Sequence, residues 1–180
     1  MVANSLEAWS RAVRSSWGPI TTTLVEECRC YLEQLVTAST REDWLAALLR
    51  ERPAPQELYR DPEHGFMLLG YAEEAEVYRR PHDHGRSWVV YAVQEGEMEM
   101  GTYARLETPD GRHRLVKRNT VRLSAGQAQV YLPGDIHDTL CVRGPALILR
   151  FTERDLKIEK QQGWMTTYAQ QDGVWLNRAA

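Results

Sequence analysis

The sequence predicts a mainly-β chain, a sandwich or small barrel carried behind a helical N-terminal segment. Three observations predict it. Before residue 53, apolar residues recur at three- and four-residue intervals. Two prolines in "RPAP" (52–55) then forbid any continuation of a helix. After residue 60 come short β-runs at roughly 8–12-residue spacing, with turn signals between them and no helical stretch intervening.

The first strong helical stripe is Leu24, Cys28, Tyr31, Leu32 and Leu35. A second short helix is expected from Thr40, where "TRED" offers an N-cap with an acidic residue three positions on. Trp44, Leu45, Leu48 and Leu49 would be its buried face. The expected β-runs are "FMLLGY" (66–71), "AEVYRR" (75–80), "SWVVYAV" (87–93), "MEMGTYARL" (98–106), "HRLVKR" (113–118), "TVRLS" (120–124), "AQVYL" (128–132), "DTLCV" (138–142) and "ALILRF" (146–151). Between them, "EGE" (95–97) reads as a hairpin, and "PDG" (109–111), "SAG" (124–126), "PGD" (133–135) and "RGP" (143–145) as turns. The tail 164–176 reads as a last hairpin about Asp172-Gly173.

A chain of 180 residues is long enough for one domain with a substantial core. Residues 1–55 are assigned to helices packed on a barrel and 56–180 to the barrel, one structural domain overall. Hydrophobic residues make up 43% and charged residues 26%, ordinary for a soluble globular protein. A net charge of −3, with no block of like charges, argues against nucleic-acid and membrane partners. The longest apolar runs, such as "WVVYAV" (88–93), are too short to span a bilayer, and the N-terminus lacks the pattern of a signal peptide. Three cysteines (Cys28, Cys30, Cys141) without a zinc-knuckle spacing fit a reduced, cytoplasmic protein with buried or incidental thiols.

The chemistry concentrates in "RRPHDHGRSW" (79–88), which spaces two of the five histidines one residue apart. In an extended strand, residues i and i+2 share a face, so His82 and His84 converge. Either they hold a metal or they are polar residues on a solvated edge. Neutral imidazoles suit Fe, Zn, Ni or Cu, and three protein ligands with open positions is the form of a catalytic site. His137 in "LPGDIHDTL", after a Pro-Gly turn and before an apolar strand, is the candidate third ligand. His64 and His113 lie in polar segments and read as surface residues.

These residues resemble the cupin superfamily, whose fold is the double-stranded β-helix or jelly-roll barrel. Its first motif, G(X)5HXH(X)3-4E(X)6G, is partly matched by His82-Asp83-His84, Val89 after four residues, and Gly96 after six more. Its second, G(X)5PXG(X)2H(X)3N, resembles Gly126 through "LPGDIH" to His137, with Cys141 at the Asn position. Within the superfamily the chain is similar to cysteine dioxygenase-like thiol dioxygenases, which also open with HDH, lack the glutamate ligand and carry an N-terminal helical segment. The resemblance implies a mononuclear Fe(II), or another divalent metal, held by His82, His84 and His137, with Val89 unable to ligate. Such a 2+ site favours anionic or chelating substrates (a thiolate, catecholate or enolate) together with O2. The reaction implied is addition of both oxygen atoms to a sulfur, or oxidative C–C cleavage. The Ser-x-His-x-Tyr set of the cysteine dioxygenases is replaced here by Ile148, Arg150 and Thr152, a departure that points away from L-cysteine itself and toward a wider group of thiols and chelating acids. A cupin with Mn, Ni or Zn doing isomerisation or C–C cleavage, and a non-catalytic metal-binding cupin, are the alternatives.

Other residues could shape the pocket. Arg150, in the apolar run "ALILRF", either meets a substrate carboxylate or faces solvent or a barrel acid at a strand end. Val89 joins it as a substrate-facing position. Tyr91 and Tyr131 either donate a phenolic hydrogen bond to bound oxygen, the catalytic reading, or pack in the core. Asp83 and Asp135 are candidates to orient the ligand imidazoles, Asp135 having turn-capping as its alternative. Trp88 reads as core. The expected partners are a small-molecule substrate and O2, and a homodimer through sheet edges stays open.

Overall fold

The computed structural model describes residues 4–109, 113–171 and 173–177. Three helices come first: α1 (Ser5–Ser16), α2 (Thr22–Val36) and α3 (Asp43–Glu51). Strands β1 (Gln56–Arg60), β2 (Met67–Glu73), β3 (Tyr78–His82), β4 (Val89–Glu107), β5 (His113–Ser124), β6 (Ala128–Tyr131) and β7 (Ile136–Thr152) follow. A short α4 (Leu156–Gln161) precedes β8 (Tyr168–Gln171) and β9 (Val174–Asn177). The strands form one antiparallel sheet in the order β1-β2-β7-β4-β5-β9-β8, with β3 added on β7 and β6 on β4. The molecule is mainly β, a curled half-barrel with helices on one side.

The two long strands organise everything else. β4 and β7 pair along their lengths, Val89 opposite Thr152 and Tyr103 opposite Ile136. Their apolar runs are continuous because both faces are covered. Trp88, Val90 and Ala92, with Leu147, Leu149 and Phe151, turn outward into a core shared with the helices, including Val13, Leu32, Leu45 and Leu48. Val89, Tyr91, Val93 and Ile148 turn inward onto Met98, Met100 and Tyr131. Trp88 therefore fills core, at 2% exposed.

Local chemistry explains the helix limits. Asn4 caps α1 by accepting from the Glu7 N–H at 2.8 Å, and Thr21 caps α2 through the Leu24 N–H at 3.1 Å. The helix expected from Thr40 begins at Asp43 instead, capped by Glu42 without a side-chain bond. The Glu42 carboxylate is engaged by Ser5 and Trp44, where it ties α3 to α1.

Several expected breaks are not breaks. "EGE" is no hairpin: β4 runs through it as a bulge, with Gly96 at φ +85° and the register against β7 shifting on both sides. β7 likewise runs through Arg143-Gly144-Pro145, whose proline cannot donate to the ladder. Runs 113–118 and 120–124 are one strand, β5. β1 and α4 were not expected individually, nor was α1. The "SAG" and "PGD" segments do separate strands. Asp110 and Gly111 of "PDG", and Asp172 of the tail turn, lie outside the described residues. β8 and β9 pair antiparallel around that turn, Gln171 opposite Val174.

Candidate metal centre

His82 ends β3 and His137 opens β7, and the two are direct partners across the antiparallel pair. Opposed residues put their side chains side by side. His84 lies two residues further, in the loop before β4. The three imidazole centroids form a nearly equilateral triangle of 5.2, 4.7 and 4.9 Å. One nitrogen from each ring falls within 4.8 Å of the others. Among the described residues, this cluster contains no carboxylate or thiolate.

The nitrogens themselves test whether the cluster suits a cation. His84 and His137 are 1% and 0% exposed, yet Nδ1 of His84 and both nitrogens of His137 have no hydrogen-bond partner. Leaving a buried polar group unsatisfied costs about 1–3 kcal/mol. A cation bound by the three rings would take one nitrogen from each and so relieve at least one of these orphans, and the donor set fits a metal. His82 is prepared for this: its Nδ1 lies 2.9 Å from the Arg80 carbonyl, which can only accept, so Nε2 keeps its lone pair. Burial pushes all three imidazoles below their ordinary value, aided by their mutual proximity and Arg150 for His84 and His137. They are therefore neutral near pH 7, the state that ligates.

The structure brings most of the other candidates to the same place. The Tyr91 hydroxyl lies 3.2 Å from His84 Nε2. The Tyr131 ring stacks on His137 at 3.8 Å and 23°, with its hydroxyl buried and unpartnered. Arg150 stands opposite Tyr91 in the β4–β7 pairing, half-buried, with an unpartnered Nε. A cavity of about 490 Å³ reaches the cluster at His82, and is lined also by Tyr71, Tyr91, Arg150, Arg80 and Lys160 among others. Val89 does not line it; it is 0% exposed, packed in the interior beside Tyr131.

The two aspartates do other work. Asp83 accepts from the N–H groups of Gly85 and Thr166, both at 2.9 Å, tying the histidine loop to the segment before β8. Asp135 accepts from the Leu132 N–H at 2.7 Å and so caps the Pro-Gly turn. Neither side chain bonds an imidazole. The polar residue that sequence reasoning missed is Asp138, beside His137. It is 5% exposed and accepts from the Tyr78 hydroxyl and the Gly101 N–H, each at 2.8 Å, and from the Tyr103 hydroxyl. It thereby locks β7 to β3 and β4 at the third histidine. An acid directly beside the third histidine, at the start of a strand, was the available signal. Glu159 was missed too: 1% exposed, it accepts from the Arg86 N–H at 2.9 Å.

No family model matches the sequence, and no curated protein does. Among solved structures, the chain is similar to the cupin domain of Schizosaccharomyces pombe Cnp3, with 14% identity, a TM-score of 0.43 and coverage of 61% of this chain and 66% of that one. It is similar to KdgF from Halomonas sp. at 21% identity, a TM-score of 0.43, and 58% and 81% coverage. It is also similar to an oxalate oxidase at 20% identity, a TM-score of 0.36, and 48% and 40% coverage. The chain thus spans just under two thirds of the Cnp3 domain and less than half of that oxalate oxidase.

Proposed function

We propose that the protein is a mononuclear non-heme iron dioxygenase that adds O2 to a small thiol or similar chelating acid, with His82, His84 and His137 holding the metal. The observation that supports it is a triangle of neutral imidazoles, three of whose buried nitrogens lack partners, reached through His82 from a cavity lined by cations, with no carboxylate among the candidate ligands. Iron held there would supply Lewis acidity and redox chemistry toward O2. An all-imidazole ligand set leaves the metal's full 2+ charge, which favours an anionic donor atom from the substrate.

The protein's own residues do the rest. Arg150 offers a flat guanidinium to a substrate carboxylate and so orients it across the cavity. The Tyr91 hydroxyl, 3.2 Å from His84 Nε2, holds a proton at the wall of the cavity, where it could donate to a substrate oxygen. The Tyr131 ring holds the His137 plane.

Metal analysis of the purified protein, followed by oxygen uptake with a panel of thiols, tests this. Iron with thiol-dependent uptake is expected. Zinc, nickel or manganese without uptake would move the assignment to a cupin enzyme of another chemistry. His137→Ala is expected to abolish bound metal, and full retention in that variant would overturn the three-histidine site.

A further inference from the structure

Four cationic side chains line the cavity over the imidazoles (Arg79, Arg80, Arg150 and Lys160), and no acidic one does among the described residues. This inverts the charge of the whole chain, which is −3. Arg79 is already matched, since its guanidinium donates to both oxygens of the buried Glu73 at 2.8 and 2.9 Å. The other three make no ion pair among the described residues. Arg150 sits deep, in β7 opposite Tyr91, with Nε buried and unpartnered. Arg80, near the end of β3, and Lys160, in α4, are exposed at the mouth.

We infer that the substrate is a small dicarboxylic acid, one carboxylate held by Arg150 and the second by Arg80 and Lys160 at the rim. This deepens the reading above and rests on its placing the substrate in this cavity. The half-buried Arg150 guanidinium has no counter-charge among the described residues, and its fork matches a carboxylate's two oxygens. A ligand with a single carboxylate would satisfy Arg150 and leave two cations facing the cavity. Low-dielectric walls lined by one sign of charge concentrate ligands of the opposite sign. A volume of about 490 Å³ accommodates a molecule of this size.

The test compares succinate with succinamate, of equal length but with one carboxylate replaced by a neutral amide, by calorimetric titration of the metal-free protein at low salt. Succinate is expected to bind about fivefold or more tightly, the scale of two exposed ionic contacts. In the double variant Arg80→Gln, Lys160→Gln, whose sites are exposed, that ratio falls to about one because succinate loses more affinity than succinamate. Arg150→Gln weakens both ligands. Equal affinities in the wild type, an unchanged ratio in the double variant, or no binding of either acid would each overturn the inference. Because no metal is present, its failure leaves the iron assignment standing, and metal retention in His137→Ala leaves this readout standing.

Discussion

Asp61 shows what a single buried charge does in this molecule. It is 1% exposed, in the turn between β1 and β2, and accepts from the N–H groups of Glu63 and His64 at 3.0 and 2.8 Å and from the Tyr59 hydroxyl at 3.0 Å. Arg14 of α1 approaches it to 3.4 Å. Burial pushes its carboxyl upward, but these bonds and the guanidinium outweigh that and hold it below the ordinary 3.8. A carboxyl lowered by folding contributes stability that is full above its unfolded value and is lost as the pH falls through the folded one. The gap in thermal midpoint between wild type and Asp61→Asn should therefore be constant above about pH 5 and shrink toward pH 3. A gap that does not change with pH would refute this. The histidines were legible at the same scale because the spacing HxH has a direct geometric meaning on an extended chain. Asp83, Asp135 and Asp138 were not, because a carboxylate's partner depends on which backbone N–H or hydroxyl the fold brings near it.

At the scale of elements, the legible quantity was apolar patterning and the illegible one was continuity. "SWVVYAV" and "ALILRF" announce strands through β-branched, two-sided burial. Gly96 and Pro145, read as stops, instead lie within long strands where β4 and β7 bend together. A Cβ on Gly96 would meet the Arg143 carbonyl at 2.5 Å and the Ala146 Cα at 2.7 Å, besides its φ of +85°. Gly96→Ala should thus cost about 1–3 kcal/mol in urea denaturation. A loss below about 0.5 kcal/mol would show that the two strands can separate there without penalty. The helix α1 escaped notice because its buried stripe is short, Trp9 and Val13. Trp9 nonetheless meets Tyr59, Phe66 and Phe151 edge-on at 6.0–6.2 Å and so joins helix to sheet.

Over the whole molecule, the centre depends on a segment far from it in sequence. Asp83 bonds Thr166, and Glu159 bonds Arg86, so the loop carrying His84 is held by α4 and the chain that follows it. Arg86 also lies over the Trp164 ring at 3.2 Å, and Gly85, at φ +63°, is the residue that fits against Glu159. Glu159→Ala should weaken metal affinity about tenfold, read by chelator competition, with Glu159→Gln falling between because it keeps an acceptor for the Arg86 N–H. Unchanged affinity in the alanine variant would show the loop to be self-supporting. Helices over a curled sheet were foreseeable from the two periodicities; this long-range brace was not, since α4 is too short to show a stripe of its own.

That brace also sets a timetable for synthesis. His82, His84 and His137 are all made before Glu159 and Thr166, so a chain still on the ribosome owns its ligands before it owns the parts that aim them. On the function proposed above, such a chain would hold a metal less tightly until the brace is made, and one that stalls late in translation would carry the three histidines on an unbraced loop.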